Sequence, residues 1–114
     1  MNITHEVIGD ATIAHFGERR LDAAMAVRFK DVMRPIADDV TGRLVLNMEK
    51  VEFMDSSGLG AIVALMKYLG PERPLDLACL QSTVDKVFRL TRMDGVFTIY
   101  KTLDQATSST AKSA

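Results

Sequence analysis

Residues 51–65, VEFMDSSGLGAIVAL, place a polar centre, Asp55-Ser56-Ser57-Gly58, inside an otherwise apolar segment. Downstream, apolar residues recur every three or four positions, which predicts a helix with one apolar face. These residues are Leu59, Ile62, Val63, Met66 and Leu69. Gly70-Pro71 would end this helix. Upstream, residues 43–48, RLVLNM, are a short apolar run that predicts a buried strand. The polar centre therefore lies between a strand end and a helix start.

The polar centre contains more than a helix start requires. Ser, Asp and Gly all favour helix N-termini, because the first turn has N–H groups without partners. One capping side chain explains only one of Asp55, Ser56 and Ser57. Gly58 and Gly60 would destabilise the first turns of a helix. The glycines indicate that something approaches the backbone closely, and this slightly favours a functional site over a simple cap.

The residues before this unit predict a hairpin and a first helix. Alternating patterns predict strands at 2–8 and 11–16, with Gly9-Asp10 as the tight turn. The polar loop GERRLD follows, and its last residue, Asp22, can cap a helix. Pro35 lies inside the helical pattern, so we expect the helix to bend or end near it. The apolar stripe of this helix comprises Met25, Phe29, Val32, Met33 and Ile36.

The residues after residue 70 predict two more strands and two more helices. Residues 74–80, PLDLACL, are a strand candidate, and Ser82 would cap the helix that follows. Gly95 would end that region, and residues 96–101, VFTIYK, would form the last strand. The segment LDQAT would start a short final helix. The apolar stripe of the longer helix comprises Val84, Val87, Phe88 and Thr91.

This order of elements predicts the fold class. Strands that alternate with helices favour an α/β domain with a parallel or mixed sheet and right-handed crossovers. We expect one domain, residues 1–107, followed by a flexible polar tail, residues 108–114.

Composition restricts the classes of function. The 114 residues carry a net charge of −1, and their basic residues are scattered, so a nucleic-acid partner is not expected. The lone Cys79 excludes an internal disulfide and a thiolate zinc site, and we interpret it as a small buried side chain. No secretion signal is visible, and no apolar stretch reaches the ~20 residues that span a bilayer. We expect a soluble, cytoplasmic protein.

Enzymatic interpretations of the polar centre lack necessary residues. A nucleophile elbow would need glycine at the position of Met54, and the two histidines, His5 and His15, lie in the predicted N-terminal strands. Neither a P-loop nor a dinucleotide fingerprint is complete. Asp38-Asp39 has no spacing partner that suggests a metal site. We therefore expect no catalytic activity and no cofactor. A remaining option is that a serine of the centre is itself the substrate of a kinase.

The segment LVLNMEKVEFMDSSGLGAIVAL closely resembles the signature of the STAS domain, specifically that of stand-alone bacterial anti-sigma factor antagonists. The segments LDAAMAVRFKDVM and STVDKVFRLTRMDGVFTIYKTLDQA resemble the family's first helix and its closing elements. The resemblance extends from about residue 3 to residue 107. It implies a mixed sheet of four or five strands with helices packed mainly on one side.

The resemblance also implies functions for individual residues. Ser56 matches the serine that is phosphorylated by a partner that is both anti-sigma factor and serine kinase. The unphosphorylated form would bind the kinase and release the sigma factor, and a PP2C-type phosphatase would restore binding. Asp55 would shape the site, and Asp22 would belong to the partner-facing surface, a role compatible with capping. The predicted docking surface at the helix start comprises Ser57, Gly58, Leu59 and Gly60.

One loop departs from the family pattern. The loop from Gly17 to Asp22 is two residues longer than the family's, so Arg19 and Arg20 either tune partner choice or are solvated loop residues.

Two other functions stay open. The first is a STAS adaptor or scaffold that binds a transporter or signalling complex without a serine switch. A hydrolase that uses Ser56 is a third option, but it lacks a base.

Overall fold

The structure is a computed structural model that describes residues 1–107, so the predicted flexible tail, residues 108–114, lies outside the described residues. The strands are β1 (Ile3–Ile8), β2 (Ala11–Phe16), β3 (Arg20–Leu21), β4 (Arg43–Asn47), β5 (Phe53–Met54), β6 (Leu75–Ala78) and β7 (Ile99–Tyr100). The helices are α1 (Ala23–Asp39), α2 (Ser56–Leu69), α3 (Ser82–Leu90) and α4 (Leu103–Thr107), and a 3-10 turn spans Met93–Gly95.

The main sheet has five strands in the order β1-β2-β4-β6-β7. Only the β1–β2 hairpin is antiparallel, and the other neighbours are parallel. Gly9 turns the hairpin with φ of +61°, a conformation that glycine adopts without strain. The predicted α/β fold with a mixed sheet is confirmed.

The core lies between one face of this sheet and the helices α1, α2 and α3. Phe16 and Phe29 meet edge to face across β2 and α1, with ring centroids 5.7 Å apart. Phe88 and Phe97 do the same at α3, at 5.8 Å. The opposite face carries a smaller apolar cluster that α4 covers through Ala106. The helices therefore pack mainly on one side, as predicted.

Local boundaries differ from the predictions at three places. Helix α1 continues past Pro35 to Asp39, so it does not end at the proline. Both Pro35 and Asp31, whose carbonyl loses its helical donor, are exposed, so water can hydrate that carbonyl. Ser82 is the first residue of α3 rather than its cap, which is Gln81 without a side-chain hydrogen bond. The last strand is shorter than predicted, because the turn continues to Phe97, whose N–H donates to Met93.

A second sheet was also missed. Strands β3 and β5 pair in parallel, Arg20 with Phe53 and Leu21 with Met54. The sequence predicts a polar loop over the first of these segments. Two residues are too few to show an alternating pattern, so nothing in the sequence marks this pairing.

A buried ion pair fastens α4 to the sheet. Arg43 on β4 donates to Asp76 on the neighbouring β6 at 3.0 Å, and their side chains are only 12% and 9% exposed. Arg43 also donates to the carbonyl of Ala106 in α4 at 2.7 Å. Its Nε is buried without a hydrogen-bond partner among the described residues.

None of the described helices is long and apolar enough to cross a bilayer.

We expect Asp76→Ala to lower the free energy of unfolding by about 3 kcal/mol, because it leaves the buried Arg43 guanidinium with only the exposed carboxylate of Asp10, 3.6 Å from its Nη2. The double variant Arg43→Met, Asp76→Leu should recover most of this loss, since it removes both charges. The matched control is Asp85→Ala, which breaks the exposed Asp85–Arg89 pair and should cost much less than Asp76→Ala. Denaturant unfolding measures all three. Equal losses for Asp76→Ala and Asp85→Ala would contradict this role.

Candidate functional site at two helix starts

Asp55 caps helix α2. Its backbone is extended, with φ of −105° and ψ of −174°, and its Oδ1 accepts a hydrogen bond from the N–H of Gly58 at 3.0 Å. Its carbonyl accepts from the N–H of Leu59 at 3.0 Å. Asp55 is therefore the residue of the polar centre that does the capping, and neither Ser56 nor Ser57 is needed for it.

The second oxygen of Asp55 reaches another helix. Asp55 Oδ2 accepts from the N–H of Ala23, the first residue of α1, at 3.3 Å. Helix α1 has its own cap, Asp22, whose Oδ1 accepts from the N–H of Met25 at 3.2 Å. The backbone of Asp22, with φ of −107° and ψ of −171°, is nearly the same as that of Asp55. One carboxylate thus joins the starts of both helices.

The small sheet β3–β5 explains why the two caps lie together. Each strand runs directly into an aspartate and then into a helix, and the pairing of Leu21 with Met54 aligns the two units. The carbonyl of Arg19 extends the contact by accepting from the N–H of Glu52 at 2.7 Å. Asp22 and Asp55, which the sequence singled out separately, therefore belong to one structural unit.

Gly58 is required by this unit. A Cβ at residue 58 would lie 2.0 Å from the carbonyl oxygen of Leu21 and 2.9 Å from Cγ of Met54. The close approach that the glycines indicated therefore comes, at Gly58, from the chain itself. Gly60 differs, because nothing lies within 4 Å of a Cβ built there.

The predicted docking residues divide by exposure. Ser57 and Gly60 are exposed, whereas Gly58 and Leu59 are buried. Leu59 belongs to the main core, at 8% exposure. Packing within the chain is enough to explain the presence of Gly58 and Leu59. Contact of either residue with a partner protein stays a prediction.

Ser56 is the first residue of α2, and it is exposed. Within residues 1–107 its hydroxyl makes no hydrogen bond. His15 is engaged elsewhere, with Asn47 at 2.9 Å and Glu6 at 2.6 Å. Among residues 1–107 no hydrogen bond joins Ser56 to a histidine, and no metal-binding cluster of His, Cys, Asp or Glu forms there.

An arginine and an aromatic ring lie beside the two caps. Arg20 Nε donates to Asp22 Oδ2 at 3.2 Å, and this bond, together with the N–H of Met25, lowers the pKa of Asp22. The same guanidinium stacks over Phe53, 4.4 Å from the ring centroid, and Phe53 is 42% exposed. Arg19 Nε lies 3.9 Å from Glu52 Oε2. No sequence pattern marks Phe53 as a site residue, because only the β3–β5 pairing brings it next to Arg20.

The family model of the STAS domain matches residues 2–106 of this chain. An anti-sigma-B factor antagonist of Staphylococcus aureus is 29% identical over 72 residues, which cover 62% of this chain and 67% of the relative.

Solved structures share the fold. An anti-sigma factor antagonist from Mycobacterium paratuberculosis has a TM-score of 0.85 at 23% identity, covering 95% of this chain and 92% of the other. The Bacillus antagonist SpoIIAA has a TM-score of 0.75 at 21% identity in its unphosphorylated form, covering 97% of each chain. A sulfate transporter family protein from Wolinella succinogenes has a TM-score of 0.76 at 15% identity, covering 91% and 88%. At these identities the likeness shows the fold alone.

We expect Gly58→Ala to destabilise the protein by about 3 kcal/mol, because the new methyl group overlaps the buried carbonyl of Leu21. The matched control lies two residues further along α2. Gly60→Ala meets open space and should stabilise the helix by about 0.5–1 kcal/mol. Denaturant unfolding of both variants checks the prediction, and a neutral Gly58→Ala would refute the packing account.

Proposed function

The chain belongs to the STAS domain family, and we propose that it is an anti-sigma factor antagonist switched by phosphorylation of Ser56. The unphosphorylated protein binds an anti-sigma factor that is also a serine kinase, and the sigma factor is released. Phosphorylation of Ser56 ends this binding, and a PP2C-type phosphatase restores it. ATP is the kinase's substrate, so this chain requires no cofactor and performs no catalysis of its own.

The observation that carries the proposal is the environment of Ser56. Its hydroxyl is exposed at the first position of α2 and makes no hydrogen bond within residues 1–107. A kinase can therefore reach it without unfolding the helix and without breaking an internal hydrogen bond. The cap, Asp55, holds the helix start independently of Ser56.

A phosphate at Ser56 would change the surface and leave the fold intact. It adds a charge of about −1.5 to −2, and the positive end of the helix dipole tolerates negative charge at this position. Asp55 next to it, and Asp22 at the neighbouring helix start, already concentrate negative charge there. A partner surface that fits a neutral hydroxyl would meet a dianion, and association would weaken.

The exposed residues around Ser56 define the docking surface that we propose. It contains Ser57 and Gly60 on α2 and the Arg20–Phe53 stack on the small sheet. An aromatic ring paired with arginine is the type of surface at which binding energy is often concentrated. Asp22 contributes by orienting Arg20, in addition to capping α1.

Two similar proteins support this assignment, because both are anti-sigma factor antagonists. The similar Staphylococcus aureus protein is an anti-sigma-B factor antagonist. SpoIIAA, which shares the fold, is known in both phosphorylated and unphosphorylated forms. For this chain, the serine switch, the kinase and the phosphatase are part of the proposal.

The test is capture of partners from the cells in which the protein occurs, with tagged wild-type protein and variants at the two adjacent serines. We expect wild-type and Ser56→Ala to retain a serine kinase of the histidine-kinase-like class. Ser56→Asp should bind it at least about tenfold more weakly, because it places a charge in the interface. Ser57→Asp, the matched control, should lose less affinity. After incubation with kinase and ATP, mass spectrometry should find phosphate on Ser56.

Phosphate on Ser57 instead, or a Ser56→Asp variant that binds the kinase as well as wild-type does, would overturn the switch. If the capture recovers a transporter or signalling complex and no kinase, the adaptor function replaces the serine switch.

A further inference from the structure

Strand β1 leaves one edge of the main sheet open. It has six residues, Ile3–Ile8, and pairs on one side with β2. On its other side no strand of residues 1–107 pairs with it, because it is terminal in the order β1-β2-β4-β6-β7. The opposite edge strand, β7, has two residues and is followed directly by Lys101.

The usual protections of an edge strand are missing from β1. Proteins discourage edge pairing with very short strands, charged side chains (lysine above all), prolines or bulges. β1, ITHEVI, contains neither lysine nor proline, its one acid, Glu6, is bonded to His15 of β2 at 2.6 Å, and its register with β2 is unbroken from Ile3 to Ile8. Two apolar side chains are also left in solvent, Val7 at 73% and Ile8 at 39% exposure. The short β7 is protected in a way that β1 is not.

We propose that β1 is a dimer interface, at which the β1 strands of two copies of this chain pair antiparallel and join their sheets. A twofold axis perpendicular to the sheet relates two such strands. This axis keeps the corresponding faces of the two sheets on the same side, so two residues that lie opposite each other must have side chains on the same face. Side chains alternate between the faces along a strand, so the two residue numbers must be both odd or both even.

The side chains select one of these registers. If His5 lies opposite His5 of the second copy, Val7 lies opposite Ile3, and Glu6 lies opposite Thr4. Val7 is then covered by an apolar side chain that is itself packed against the main core. A shift of the second copy by two residues would instead place Glu6 opposite Glu6, a like-charge pair that destabilises a sheet. The opposite shift leaves both Val7 and Ile8 opposite no residue of β1, whereas the chosen register leaves only Ile8 so.

Sedimentation equilibrium of the full chain tests the interface. We expect a concentration-dependent dimer in the wild-type protein. Val7→Lys should raise its dissociation constant at least about tenfold, because the altered contact occurs twice per dimer and lysine blocks edge pairing. Val27→Lys is the matched control, since Val27 is 67% exposed on α1, and should leave dimerisation unchanged.

Disulfide trapping tests the register. His5→Cys should form an intermolecular bond between residues 5 of the two copies, identified by peptide mapping, whereas Glu6→Cys should not. Wild-type protein, with Cys79 alone, is the control. A monomer at every concentration, a dimer unaffected by Val7→Lys, or trapping at residue 6 in place of residue 5 would each overturn the proposal.

Discussion

The carboxylate of Asp55 accepts hydrogen bonds from the starts of two helices at once, and the geometry of the site depends on it. Oδ1 accepts from Gly58 in α2, and Oδ2 accepts from Ala23 in α1, 32 residues away in sequence. Helix starts have N–H groups that need partners, and a single side chain here satisfies one from each helix. The position of Ser56 relative to α1 follows from this bridge together with the β3–β5 pairing.

The bridge separates packing from exposure within four consecutive residues. Gly58 is pressed against the carbonyl of Leu21, and Leu59 enters the core. Ser56 and Ser57 are left on the surface, because the cap has already been supplied by the residue before them. A hydroxyl presented in this way can be modified at little cost to the fold. That separation is what makes the site suitable for a switch that changes association without changing structure.

The sequence predicted the elements with long periodic patterns and missed those that depend on distant pairs. The stripes of α1 and α2 and the β1–β2 hairpin were recognisable because each pattern repeats over several residues. The β3–β5 sheet has two residues per strand and pairs segments far apart in sequence. Asp55 was singled out as a site residue, but its bond to Ala23 could not be foreseen without that sheet. Without that sheet, a glycine at residue 58 suggests contact with an outside partner, although the carbonyl of Leu21 in the same chain is what requires it.

Amide hydrogen exchange measured by NMR in Asp55→Ala tests the bridge most directly. The account predicts faster exchange at both Gly58 and Ala23, because each loses the same carboxylate acceptor. Asp22→Ala, the matched control, should speed exchange at Met25 and leave Gly58 unchanged. If Asp55→Ala speeds exchange at Gly58 alone, Asp55 is an ordinary helix cap, and the two helix starts are not joined by its carboxylate.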